Sequence, residues 1–139
     1  MENSQLITDH LLRLLVPEEI LEFFEISDVR ESEQSIELEL RERKELTPEA
    51  LKGKDVVLDG FCNPIELQSF PLKGKATYIK LFRRRWKPRG QAKHSTNSYD
   101  FAQPGTKATR AFGAFLKGSF GLTPTVFQRA RHRVMHSRK

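Results

Sequence analysis

The sequence predicts an α+β fold: an N-terminal helical pair, a largely antiparallel sheet of about five strands, and two C-terminal helices. Three observations carry the prediction. Leucines recur at helical spacing near the N-terminus, apolar and polar residues alternate strictly over residues 35–41, and a second helical stripe of apolar residues occupies 108–116. The chain has 139 residues, 37% of them hydrophobic and ten of them Phe. That suits one domain with a modest core.

In chain order, Leu6, Ile7, Leu11, Leu14 and Leu15 fall on one face of a helix. Pro17 starts a second, short helix, with Glu18 and Glu19 near its positive end. In SIELELRER, Ile36, Leu38 and Leu40 face one way and Glu37, Glu39 and Arg41 the other, as in a half-buried strand. With residues 26–30 it forms a hairpin. LTPEALKG reads as a helical turn with Thr47 as cap, Pro48 at its first position and Gly53 at its end. DVVLDGF and PIELQSF are strands flanking a turn at Cys62 and Asn63, and KATYIKLFRRRW is one continuous strand after the turn LKGK. Residues 87–105, rich in Gly, Pro, Ser, Thr and Asn, read as a mobile loop. Ala108, Ala111, Phe112, Phe115 and Leu116 form the stripe of the next helix. The last helix is capped by Thr123, opens at Pro124 and turns Val126, Phe127, Ala130 and Val134 inward. The organisation expected is an acidic helix-plus-sheet domain over 1–86 that ends in a basic strand, a flexible basic loop over 87–105, and a basic helical pair over 106–139.

Charge is divided unevenly. Residues 1–70 hold 7 Lys/Arg against 17 Asp/Glu, and residues 71–139 hold 17 Lys/Arg against one acid, Asp100, which makes +16. A polyanion, nucleic acid above all, is the partner such a half suits. No apolar run is long enough to span a bilayer, and the N-terminus has neither signal- nor transit-peptide character, so no membrane partner is expected. The single cysteine, Cys62, excludes an internal disulfide and a zinc ribbon, and a reducing cytoplasm is the expected compartment.

Alternation along IKLFRRRW sends Ile79 and Leu81 into the core and Tyr78, Lys80, Phe82, Arg84 and Trp86 to the other face, with Arg83 and Arg85 beyond the core edge. Three consecutive guanidiniums repel one another, and a polyanion relieves that repulsion. The phosphate-contact candidates are Lys73, Lys75, Lys80, Arg83, Arg84, Arg85, Lys87, Arg89, Lys107 and Arg110. Tyr78, Phe82 and Trp86 either stack on nucleic acid or serve as packing. FLKGSFGLTPTVFQRARHRV resembles a helix-turn-helix, with Thr125, Gln128 and Arg129 as base-reading candidates, although Lys117 stands where a small residue normally allows close approach. An ordinary amphipathic helix pair is the other reading. His132 and His136 are spaced like a metal half-site, but the arginines around them make phosphate contact or solvation the better assignment. Two-metal chemistry needs converging carboxylates, and the basic half has only Asp100. With no nucleophile–base pair and no glycine-rich phosphate loop, the reading is non-catalytic, without metal, cofactor or small-molecule substrate.

DGFCNPIELQSFPLKGKATYIKLFRRRW followed by PGTKATRAFGAFLK resembles the N-terminal region of a group of bacterial insertion-sequence transposases, over roughly residues 15–118. In that group the region is often a separate small reading frame. More distantly, FPLKGKATYIKLFRRRW is similar to the hairpin opening the zinc ribbon of larger transposases, but Trp86, Lys87 and Pro88 stand where the metal ligands would begin. The resemblance implies a DNA-binding subunit that recognises the terminal repeats of a mobile element, while an Asp-Asp-Glu catalytic domain on another chain cuts and joins double-stranded DNA. The alternative is a truncated regulatory fragment that binds the catalytic transposase chain. An RNA-binding module is a third reading, because a strand mixing aromatics and cations also suits single strands.

Overall fold

A computed structural model describes residues 2–120. The second C-terminal helix that the sequence predicts, with Thr123, Thr125, Gln128, Arg129, His132 and His136, falls outside the described residues. Among the described residues the fold is α+β, with six strands in two sheets where the sequence reading expected one sheet. Helices α1 (Glu2–Leu15) and α2 (Glu18–Leu21) lead into the hairpin β1 (Phe24–Glu31) and β2 (Ser35–Glu42). A 3-10 turn (Glu49–Leu51) precedes β3 (Val56–Phe61), β4 (Ile65–Leu72), β5 (Lys75–Phe82) and β6 (Arg84–Pro88), and α3 spans Arg110–Phe120. One sheet has the order β1-β2-β5-β4, the other pairs β3 with β6. Pro48, not Thr47, holds the N-cap position of the 3-10 turn, and no side chain caps it.

The strand expected to run unbroken from Lys75 to Trp86 is two strands, and Arg83 belongs to neither. The odd-numbered Ile79 and Leu81 are buried before the break, the even-numbered Arg84 and Trp86 after it. A single residue outside the pleat inverts every face that follows. Arg84 and Trp86 therefore point inward, contrary to the alternation predicted from the unbroken strand.

Two compact units divide the chain, one built from Met1–Ser27, Leu40–Ile65 and Leu81–Tyr99, the other from Asp28–Glu39, Glu66–Lys80 and the segment starting at Asp100. Each unit draws on both halves of the sequence, so acid-rich and base-rich stretches meet inside each one.

The first unit buries Val16, Ile20, Phe24, Leu40, Leu51, Leu81 and Trp86. Glu42 is its polar centre and is fully buried. It continues the inward parity of Ile36, Leu38 and Leu40 on β2. Its Oε1 accepts the Arg84 backbone N–H at 2.8 Å, and its Oε2 accepts Asn97 Nδ2 at 2.9 Å and the Tyr99 hydroxyl. Its carbonyl accepts Arg84 Nε at 2.7 Å. Burial, and then the bond to Glu42, push the Tyr99 phenol well above its ordinary pKa, so it stays a donor. The Tyr99 ring lies 5.0 Å from that of Phe24. The 87–105 segment is thus fixed at several points: Ser95 exchanges backbone hydrogen bonds with Trp86 at 2.9 and 2.6 Å, and Asn97 also donates to Leu46 at 2.7 Å. Arg43 caps α2 by donating from Nη2 to the Leu21 carbonyl at 2.8 Å.

The second unit buries Ile36, Leu38, Leu67, Ala76, Ile79 and Phe101. Ala108, Phe112 and Leu116 form a further buried cluster, as their helical spacing predicts. Thr109 accepts the Phe112 N–H at Oγ1 (3.2 Å), which is N-cap geometry for α3. The two-residue connection of β4 to β5 places Lys73 (φ 54) and Gly74 (φ 73) in the left-handed region, as a type I′ hairpin turn requires.

Candidate nucleic-acid interface

The inversion at Arg83 sorts the run RRRWKPR. Arg84 and Trp86 are inward, at 8% and 5% exposure. Arg85 and Lys87 are half-buried and occupy alternate positions on the outward side of β6, and the exposed Arg89 stands in the turn just beyond the strand. Two residues of strand advance about 7 Å, which sets the spacing of Arg85 and Lys87.

The facing strand sets the electrostatics of these cations. β3 and β6 are antiparallel, with Val57 opposite Lys87, Leu58 opposite Trp86 and Phe61 opposite Arg84, so a bulge falls at Asp59 and Gly60. Gly60 has φ 77, and a Cβ there would stand 3.3 Å from Nη2 of Arg85. The missing side chain lets the guanidinium lie against the strand, where its Nε donates to the Asp59 carbonyl at 2.8 Å. Asp59 Oδ2 is 3.8 Å from Lys87 Nζ and hydrogen-bonds His94 Nε2. The bond from His94 above all, with the charges of Lys87 and Arg85, holds the Asp59 carboxyl below the usual carboxylate range despite an opposing desolvation effect. Arg89 Nε meets Asp55 Oδ2 at 2.8 Å. These pairs stand at the surface, where solvent screens them, and phosphate oxygens can replace their carboxylates.

The remaining candidates are placed as follows. Arg83 donates from Nη1 to the Asn97 carbonyl at 3.1 Å. Arg84 belongs to the Glu42 centre and is too enclosed to meet a phosphate. In the second unit, Lys73 and Lys75 meet Glu31 at 3.4 and 2.8 Å, and Lys80 lies 3.2 Å from Glu37 and 3.9 Å from Glu66. Arg110 donates to the Asp100 carbonyl at 2.7 Å and stands 3.5 Å from its carboxylate. Lys107 is exposed. Six of the ten nominated cations (Lys73, Lys75, Lys80, Lys87, Arg89 and Arg110) thus stand within ion-pair distance of a carboxylate. Of the aromatics, Trp86 is a packing residue whose Nε1 has no hydrogen-bond partner among the described residues. Phe82 is half-buried, with its ring 6.3 Å from that of Phe61, and Phe61 also lies under the guanidiniums of Arg41 and Arg84 at 5.4 and 4.9 Å. Tyr78 is half-buried.

Reading the sequence alone missed His94, Asp59 and Glu42. Glu42 had a signal, its inward parity on β2. The partnership of Asp59 with His94 had none, because the β3–β6 pairing is non-local. Among the described residues no group of three or more His, Cys, Asp and Glu is arranged to hold a metal ion. Among them, too, no helix is long and apolar enough to cross a membrane. Comparison with protein-family models, curated proteins and solved structures finds no match to this chain.

Proposed function

We propose that the chain is a non-catalytic DNA-binding protein, of the kind that recognises the ends of a mobile element while a catalytic chain performs the strand chemistry. The duplex-binding part rests on one observation, the outward Arg85 and Lys87 of β6 with the exposed Arg89 in the turn that follows, within a sequence half carrying +16. The element-end part and the catalytic partner rest on the resemblance alone. Arg83, Lys107 and Arg110 extend the phosphate-contact set, and Thr125, Gln128 and Arg129 remain the base-reading candidates. A regulatory fragment that touches DNA weakly is the second reading, favoured by the ion pairs that already occupy much of the basic surface.

Fluorescence anisotropy with labelled duplex across a salt series tests the proposal. Element-end DNA, a scrambled duplex and single-stranded RNA serve as ligands, and Arg85→Ala/Lys87→Ala/Arg89→Ala is compared with wild type. Loss of three phosphate contacts flattens the log–log salt slope by about two to three units. A slope unchanged by the triple variant refutes these cations as the contact surface. Weak, sequence-blind binding supports the second reading, and preference for the single strand supports RNA.

A further inference from the structure

The apolar stripe of α1 does not enter the core. Leu6, Ile7, Leu11, Leu14 and Leu15 are 66%, 61%, 54%, 68% and 40% exposed. The turn of an α-helix, about 100° per residue, places them opposite Asp9, Leu12 and Val16. Those three mark the inward side: Val16 is buried, and Asp9, Leu12 and Arg13 line a cleft with Glu18, Glu22 and Arg43. The stripe that helical spacing predicts is present, yet it faces solvent.

We propose that this stripe is a self-association surface through which two copies of the chain pair their α1 helices antiparallel. The pattern is self-complementary. Reflected about the point between His10 and Leu11, Ile7 answers Leu14 at the centre of the stripe and Leu11 answers His10, while Leu6 and Leu15, half a turn apart around the helix, flank the contact on either side. Asn3, Ser4 and His10 lie within the stripe, Thr8 and Arg13 border it at positions that answer each other under the same reflection, and Asp9 lies on the other side, so no carboxylate or guanidinium of α1 meets its own like. Antiparallel pairing also sets opposite helix ends side by side. Five side chains at this exposure present on the order of 400 Å². Two copies bury at most roughly 800 Å², below the usual size of specific interfaces, so the dimer is a weak, reversible one. A lipid surface is a poorer fit, because the polar side of α1 carries little of the Lys and Arg that membrane-surface helices use.

Sedimentation velocity on the full chain tests the proposal. The mass rises with concentration from 16.1 kDa towards twice that value. Ile7→Lys/Leu14→Lys raises the midpoint at least about tenfold, roughly the effect of one to two lost apolar contacts. Mixing it with Ile7→Glu/Leu14→Glu restores dimerisation, because position 7 of one copy faces position 14 of the other. Circular dichroism and the melting temperature of dilute samples stay at wild-type values. A chain that is monomeric at every concentration overturns the proposal, and so does self-association that the variants leave intact. A dilute Lys variant that melts well below wild type shows instead that the stripe is covered within the chain, by residues 121–139 for example. Co-sedimentation of a monomeric wild type with phospholipid vesicles assigns the stripe to lipid.

Discussion

Removing Glu42 is expected to destabilise the first unit strongly. Three donors converge on its carboxylate, the Arg84 backbone N–H, Asn97 Nδ2 and the Tyr99 hydroxyl, and the side chain is fully buried. Each donor left unsatisfied in the interior costs about 1–3 kcal/mol. The sum is not additive, and Asn97 retains its bond to the Leu46 carbonyl at 2.7 Å. Glu42→Ala is therefore expected to cost about 3–5 kcal/mol, against a total of about 5–15 kcal/mol for a domain. The melting temperature falls by roughly 10–20 °C. Glu42→Gln keeps the shape but turns one acceptor into a donor, facing either the Arg84 N–H or the pair Asn97 and Tyr99. It costs about 1–3 kcal/mol. Tyr99→Phe removes one of the opposed donors, so it is less damaging in the Glu42→Gln background than in wild type, with a coupling of at least about 0.5 kcal/mol. Urea unfolding followed by the fluorescence of the single Trp, Trp86, measures all four corners of this cycle. An additive cycle, or a Glu42→Gln variant within about 0.5 kcal/mol of wild type, refutes the idea that Glu42 organises the unit.

Two further outcomes follow from local geometry. A Cβ on Gly113 would stand 2.7 Å from Cβ and 2.8 Å from Cγ of Gln103, atoms close to the backbone. Gly113→Ala should thus destabilise by about 1–2 kcal/mol despite the better helix propensity of Ala, and Gln103→Ala in the same chain should recover only part of the loss; thermal denaturation decides, and a stabilised Gly113→Ala refutes the close approach. The carboxyls of Glu31, bonded by Lys75 and flanked by Lys73, and of Asp59, bonded by His94, are both held below their ordinary range. A depressed folded pKa contributes stability above the unfolded value, near 4, and that contribution disappears as pH falls through the lower folded value. Carbon-13 titration should give midpoints below those of model carboxyls, with Lys75→Met raising that of Glu31 and His94→Gln that of Asp59. Midpoints at model values in the intact protein would remove both interactions from the account.

Elements whose signals are local were legible in the chain alone. Helical spacing found α1 and the Ala108, Phe112 and Leu116 cluster, and strict alternation found β2 with its inward Ile36, Leu38 and Leu40. The same alternation extends to Glu42, so even a buried carboxylate was within reach, because parity along a strand is a property of the strand alone. Features that depend on partners distant in sequence emerged only with the fold. The break at Arg83 arises where β5 stays with one sheet and β6 joins β3 in another, and nothing in RRRW distinguishes an unbroken strand from two. That break turns Arg84 and Trp86 inward and leaves Arg85 and Lys87 outward, which reverses the faces that alternation along one unbroken strand gives Arg84, Arg85 and Trp86. Charge totals located an excess of cations but not their neighbours; Glu31, Glu37, Asp55, Asp59 and Glu66 reach them only through strand pairing. The α1 stripe is the converse case. Periodicity says that a helix has an apolar face, but whether that face meets the chain's own core depends on how Val16 and Leu12 pack, and here they turn it to solvent.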